Sequence, residues 1–214
     1  MKVLVIGANG QIGKQLVKLL QESHEYSVRA LVRTEEQVTE FLQSDVEAVL
    51  GNLEDSVNQL KDAVKGCDAV VFTAGSGGHT GSDQTLLIDL DGAAKMMDAA
   101  KEVGVKRFLM VSAIQAHNRE NWHEPLKPYY AAKHYADKML IQSGLSYTIV
   151  RPGALVNENG TGKVTAAENL ERGSIPREDV ARTILEIINQ ENTFNKSFDL
   201  VAGETPIKQA VASI

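Results

Sequence analysis

Residues 2–13 read KVLVIGANGQIG, and the fold class turns on this run. Its first half is short, apolar and rich in β-branched residues, the pattern of a buried strand. Its second half carries Gly7, Gly10 and Gly13 in a G-x-x-G-x-x-G spacing and opens a segment of helical period, GQIGKQLVKLLQES. Such a spacing means little alone, but between a strand and a helix it acquires a physical role. Gly7 permits a tight turn, Gly10 a close backbone approach by a pyrophosphate, and Gly13 close packing of helix on strand. The free N–H groups of the first helical turn then face the phosphates, with Asn9, Gln11 and Ile12 around them. The expectation is a dinucleotide site.

Outward from this turn, apolar runs alternate with helical segments. SVRALVR, VEAVL, DAVVFTA, KRFLMVS and YTIVRPG read as further strands. LIDLDGAAKMMDAAKEVG and PREDVARTILEIINQ read as helices, and KSFDLVA as a last strand. This order predicts a Rossmann-type α/β fold, a doubly wound and mainly parallel sheet with helices on both faces, in one domain over residues 1–214. Three irregular stretches, 76–84, 113–128 and 151–174, follow carboxyl ends of strands, where such a sheet binds its ligand.

Composition agrees with this class. The 214 residues suit one α/β domain, and 43% hydrophobic with 5% aromatic residues implies a largely aliphatic core. A formal net charge of -6 without a basic run argues against nucleic acid as a partner. No apolar run has the length of a membrane span, the N-terminal run is too short for a signal peptide, and Cys67 stands alone. Together these point to a cytoplasmic protein with a small-molecule substrate.

The second strand bears on which dinucleotide is bound. An acidic residue about twenty positions after the last glycine ordinarily bonds the ribose 2′-hydroxyl of NAD. Arg33 takes that place, with Arg29 four residues earlier. A guanidinium suits a 2′-phosphate, so NADP(H) is expected over NAD(H). The alternative is a surface arginine paired with Glu35 or Glu36. Asn52 and Leu53 after the third strand are expected near the adenine, and Thr73, Ala74 and Gly75 after the fourth beside the cofactor backbone.

KPYYAAKHYADKML, residues 127–140, places Tyr129 and Lys133 four apart on one helix face, as Y-x-x-x-K. With the glycine turn and the strand order, the chain resembles the short-chain dehydrogenase/reductase superfamily. It looks most like the atypical, NmrA-like and epimerase/dehydratase-like branch. The resemblance implies that Tyr129 is the general acid/base and that Lys133 holds the nicotinamide ribose and favours the phenolate. Bringing a phenol from its ordinary ~10 towards neutrality takes about 4 kcal/mol, and one close cation at an effective dielectric of ~20 supplies about that much. Ser112, ending MVSA, resembles the serine that orients the substrate oxygen, although Ile114 stands where extended members place it. Asp89 falls where family members carry Asn, and it matches the aspartate of the atypical branch. A carboxylate there holds Lys133 charged but weakens its pull on Tyr129, and pairing with Lys95 is the alternative.

Arg151-Pro152-Gly153 resembles the family's R-P-G, where Pro152 turns the backbone beside the nicotinamide. Asn157, Asn159 and Thr161 then read as polar neighbours of a substrate, or as an ordinary solvated loop. His117, Glu120, His123 and Glu124 match no zinc spacing, so no metal is expected. Trp122 is expected on the pocket rim. Two classes of function follow: an NADP-dependent oxidoreductase or epimerase-like enzyme on a small carbonyl or alcohol, and an NADP-binding sensor with little turnover. Little chain remains after the sixth strand for the separate lobe of a sugar-nucleotide epimerase.

Overall fold

The computed structural model describes residues 1–78 and 80–214; His79, within the loop 76–84, lies outside the described residues. Strand β1 (Lys2–Ile6) shows how the sheet is built. Val3 and Val5 enter one apolar core, while Leu4 and Ile6 enter the other. The strand is apolar throughout because successive side chains point to opposite faces and both faces are covered.

The other strands are β2 (Ser27–Val32), β3 (Glu47–Leu50), β4 (Ala69–Phe72), β5 (Arg107–Val111), β6 (Ser146–Pro152), β7 (Ala154–Val156), β8 (Lys163–Ala167), β9 (Ser174–Pro176), β10 (Lys196–Ala202) and β11 (Thr205–Pro206). Eight of them join β1 in one sheet, in the order β11-β8-β10-β6-β5-β4-β1-β2-β3. From β3 across to β10 all neighbours are parallel; β8 runs antiparallel to β10 and to β11. The helices are α1 (Gln11–Glu22), α2 (Glu35–Gln43), α3 (Val57–Val64), α4 (Ser82–Gln84), α5 (Ala93–Glu102), α6 (Lys127–Gln142), α7 (Arg177–Ile187) and α8 (Ile207–Ala212). Leu16 of α1, Ile184 of α7 and Val211 of α8 pack in one core; Leu60 of α3, Met96 of α5 and Leu140 of α6 pack in the other. The expected α/β class with helices on both faces is what the chain adopts.

The chain runs outward from β1 to β3 and returns to the far edge of β1 as β4. At that reversal the loops after β1 and β4 diverge and leave a crevice at their carboxyl ends. Between α4 and α5 the backbone winds more widely, as a π-helix over Thr85–Gly92, a local form often found at functional sites.

One expectation is overturned here. The stretch 151–174 is not irregular throughout: it contains the end of β6, all of β7 and β8, and the first residue of β9. These pieces are three to seven residues long and form by pairing with distant partners, β8 with β10 and β7 with β9, which local pattern does not reveal.

Candidate active site

The glycine turn is constrained by space. Gly7 has φ 80°, and a Cβ there would stand 2.7 Å from the backbone nitrogen of Ala74. A Cβ on Gly13 would stand 2.1 Å from the Gly7 carbonyl oxygen, so only glycine lets α1 sit this close to β1. Gly10 caps α1 without a side-chain acceptor, which leaves the N–H groups of the first turn unclaimed by any side chain.

A cavity of about 810 Å³ opens over this turn. Gly7, Asn9, Gly10, Gln11 and Ile12 line it at one end, and Asn52, Leu53, Thr73, Ala74 and Gly75 along its floor. Gly13 does not line it, being the packing residue beneath. Arg33 does, just past the end of β2; its backbone N–H donates to Gln37 Oε1 at 3.0 Å, and its guanidinium forms no ion pair among the described residues. Glu35 and Glu36 therefore do not neutralise it. Arg29 is different. Its guanidinium donates to Glu47 and to the carbonyls of Ala63 and Lys65, tying β2 to β3 and α3.

Further along the same cavity stand Asp89, Ser112, Tyr129 and Lys133. Lys133 Nζ lies 2.9 Å from Asp89 Oδ1 and donates to the Val111 carbonyl at 3.3 Å. The other Asp89 oxygen accepts from the Ser76 N–H at 2.9 Å, so the π-helical turn, the loop after β4 and α6 are clamped at one point. Of the two readings of Asp89, pairing with Lys133 is the observed one; Lys95 pairs with Asp91 instead. Burial by itself works against the Lys133 ammonium, but Asp89 and Tyr129 outweigh it and hold its pKa above the ordinary lysine value.

Tyr129 lines the cavity beside this pair. Lys133 Nζ stands 5.8 Å from its ring centroid, yet the phenol is raised, not lowered. Burial is the largest cause; Lys133 acts in the opposite direction, and Asp89 opposes Lys133. Ser112 lines the cavity but is itself buried, and its hydroxyl lies near enough to Asp137 to draw that carboxyl down.

Three expected placements are not met. Pro152 lies within β6, buried, and does not line the cavity. Its carbonyl accepts the N–H of Ile114, which is itself buried. Asn157 Oδ1 accepts from Arg177 at 2.7 Å, and the Thr161 N–H donates to Asp179 Oδ2 at 2.9 Å, so these polar residues order their own loop. Neither of them, nor Asn159, lines the cavity. Trp122 stacks on Tyr130 at 6.2 Å and donates to the Ala116 carbonyl, supporting the rim from behind.

Of the three stretches expected to outline a pocket, 76–84 contributes Ser76 and Thr80, 113–128 contributes Pro125 and Leu126, and 151–174 contributes Leu155. The last two also enclose a second cavity of about 550 Å³, lined by Gln115, Asn121, Asn169 and Arg172 among others. His117 Nδ1 lies 3.9 Å from Asp199 Oδ1; burial lowers the histidine and raises the carboxylate. Among the described residues no group of three or more His, Cys, Asp or Glu is placed to hold a metal ion, and no helix is long and apolar enough to cross a membrane. The cavity-lining residue most clearly missed by sequence reasoning is Arg177, the first residue of α7. A single arginine after Pro176 carries no signal that separates it from a surface charge.

The chain matches the model of the NAD(P)H-binding family over residues 7–191. It is 60% identical over 214 residues to the uncharacterized sugar epimerase YhfK of Bacillus subtilis (strain 168), covering 100% of both chains. A solved structure from Bacillus halodurans, provisionally described as an NAD-dependent epimerase/dehydratase, is 42% identical with a TM-score of 0.94 and full coverage of both chains, 100% each. The oxidoreductase ylbE from Lactococcus lactis is 35% identical with a TM-score of 0.91, covering 100% of this chain and 96% of that one.

Proposed function

The chain belongs to the NAD(P)H-binding family, and from that premise we propose that it is an NADP(H)-dependent oxidoreductase acting on a small carbonyl or alcohol substrate. The observation that carries this reading is convergence: the phosphate turn, Arg33, Ser112, Tyr129 and Lys133 line one cavity. The residues suit such a cofactor. Asn9 Oδ1 is buried there without a partner among the described residues, and the first turn of α1 has no side-chain cap. Arg33 stands ready for a 2′-phosphate with no protein carboxylate competing for it. The relatives' epimerase and oxidoreductase descriptions support the reading as chemistry this fold accommodates.

When bound, the nicotinamide supplies a hydride donor or acceptor. Tyr129 gives its phenolic proton to the substrate oxygen as a carbonyl is reduced, and the Ser112 hydroxyl holds that same oxygen. Lys133, fixed by Asp89 and the Val111 carbonyl, keeps one N–H for the cofactor ribose. The raised phenol favours this direction: it remains protonated at neutral pH, whereas alcohol oxidation needs the phenolate.

A second reading, an NADP(H) sensor with little turnover, is favoured by one observation. Asp89, 2.9 Å from Lys133, offsets the cation that would otherwise draw the phenol down. The two readings separate in one assay of NADPH oxidation against a panel of aldehydes, ketones and quinones. The enzyme reading expects turnover that falls about 100-fold or more in Tyr129→Phe and an NADPH-over-NADH preference that shrinks about tenfold in Arg33→Met. Turnover by Tyr129→Phe at the wild-type rate removes the acid/base role. NADPH binding with no reaction across the panel selects the sensor.

A further inference from the structure

Four charged side chains line the main cavity among the described residues: Arg33, Asp89, Lys133 and Arg177. Asp89 and Lys133 neutralise each other, leaving two arginines without a counter-ion. Arg33 is accounted for above. Arg177 is half-buried, and its guanidinium donates to Asn157 Oδ1 at 2.7 Å, a neutral amide that orients it without cancelling its charge. The carboxylates that follow it on α7 are engaged elsewhere. Glu178 accepts from the Gly160 N–H and pairs with Arg182, and Asp179 accepts from the N–H groups of Thr161 and Gly162. A guanidinium on the cavity wall with no carboxylate facing it keeps its charge available to an anion that enters.

The fold says where that anion sits. Helices α1 and α7 pack on each other, with Ile12 and Leu16 in the same core as Val180 and Ile184. The β7–β9 pair, Val156 opposite Pro176, brings Leu155 to the cavity wall and starts α7 beside it. Arg177 therefore opens onto the cavity at the flank of the α1 turn, whose N–H groups point at a pyrophosphate. A guanidinium fork matches two phosphate oxygens at once. We propose that Arg177 is a second anion anchor, holding the pyrophosphate of the bound dinucleotide together with the α1 turn, while Arg33 takes the 2′-phosphate. This rests on the dinucleotide reading above.

Equilibrium binding of NADP⁺, NAD⁺ and adenosine 2′-monophosphate tests it, with no need for a substrate. Arg177→Met is expected to weaken NADP⁺ and NAD⁺ by the same factor, about 10- to 100-fold, and to leave adenosine 2′-monophosphate unchanged. Arg33→Met is expected to show the reverse pattern, weakening NADP⁺ and the monophosphate while sparing NAD⁺. Should Arg177→Met fold poorly by thermal denaturation, Arg177→Lys, which keeps the charge but loses the fork, is expected to weaken both dinucleotides by a smaller, equal factor. Wild-type affinity of these variants for both dinucleotides overturns the proposal, as does a loss confined to NADP⁺ and the monophosphate. If the wild-type protein binds no dinucleotide, the proposed function falls and this inference with it. If it binds and Arg177→Met binds equally well, only this inference falls.

Discussion

Two ion pairs leave α6 one turn apart and are almost equally buried. Lys133 meets Asp89 with side chains 4% and 1% exposed, and Asp137 meets Arg151 with side chains 3% and 4% exposed. Their surroundings differ. The first forms part of the cavity wall, with Tyr129 beside it and the Ser76 N–H bonded to its carboxylate. The second does not line the cavity and joins α6 to β6, where Arg151 stands opposite Asp199 of β10 in the backbone register. Asp137 keeps one oxygen without a hydrogen bond, and burial raises its pKa against the opposing pull of Arg151 and the nearby Ser112 hydroxyl. Equal burial thus serves two ends. The inner pair ties helix to sheet, and the outer pair acts on the Tyr129 phenol beside it.

The sharpest break of this contrast is Arg151→Met, which strands the Asp137 charge in the interior. It is expected to lower stability by about 3–5 kcal/mol in chemical denaturation while leaving dinucleotide affinity of the folded fraction unchanged. A loss of affinity at unchanged stability would reverse the roles of the two pairs.

Asp89→Asn is expected to cost less, about 1–3 kcal/mol, because Lys133 keeps the Val111 carbonyl and an opening to the cavity. Its distinguishing effect is on Tyr129. With the carboxylate gone, the phenol titrates at lower pH than in the wild type, read by ultraviolet difference titration against Tyr129→Phe. An unmoved or rising phenol means that Asp89 does not govern it.

The smallest effect is in the pH profile of stability. Asp137 is raised in the folded state, so the folded chain holds that proton more tightly than the unfolded one. Its contribution is fully present below the unfolded value near ~3.9 and is lost as pH rises through the folded value. Asp137→Asn should remove that part of the decline above pH ~4. A profile unchanged from the wild type would show that the group is not raised.

Much of the architecture was readable because it is local. Apolar runs marked β1 to β6 and β10, and helical periods marked α1, α5, α6 and α7, since burial on both sheet faces leaves a mark on every strand. The short pieces after β6 left none. Lys163–Ala167 is a strand only because β10 lies alongside it. The site divided the same way. Gly7, Gly10 and Gly13 are legible because a turn that admits no Cβ leaves a fixed spacing, and Tyr129 with Lys133 because one helical turn joins them. Pro152 was placed by resemblance, and the structure assigns it to the sheet; Asn157, read as a substrate neighbour or an ordinary loop residue, bonds Arg177.

By itself the sequence determined the fold class, the glycine turn and the tyrosine–lysine face, all set by backbone sterics and helical period over a few residues. Only the tertiary structure decided that Asp89 grips Lys133, that Arg29 is locked while Arg33 has no ion pair among the described residues, and that Arg177 lines the cavity. Charge interactions act through space at a few ångströms, and which charges come that close depends on elements far apart in the chain.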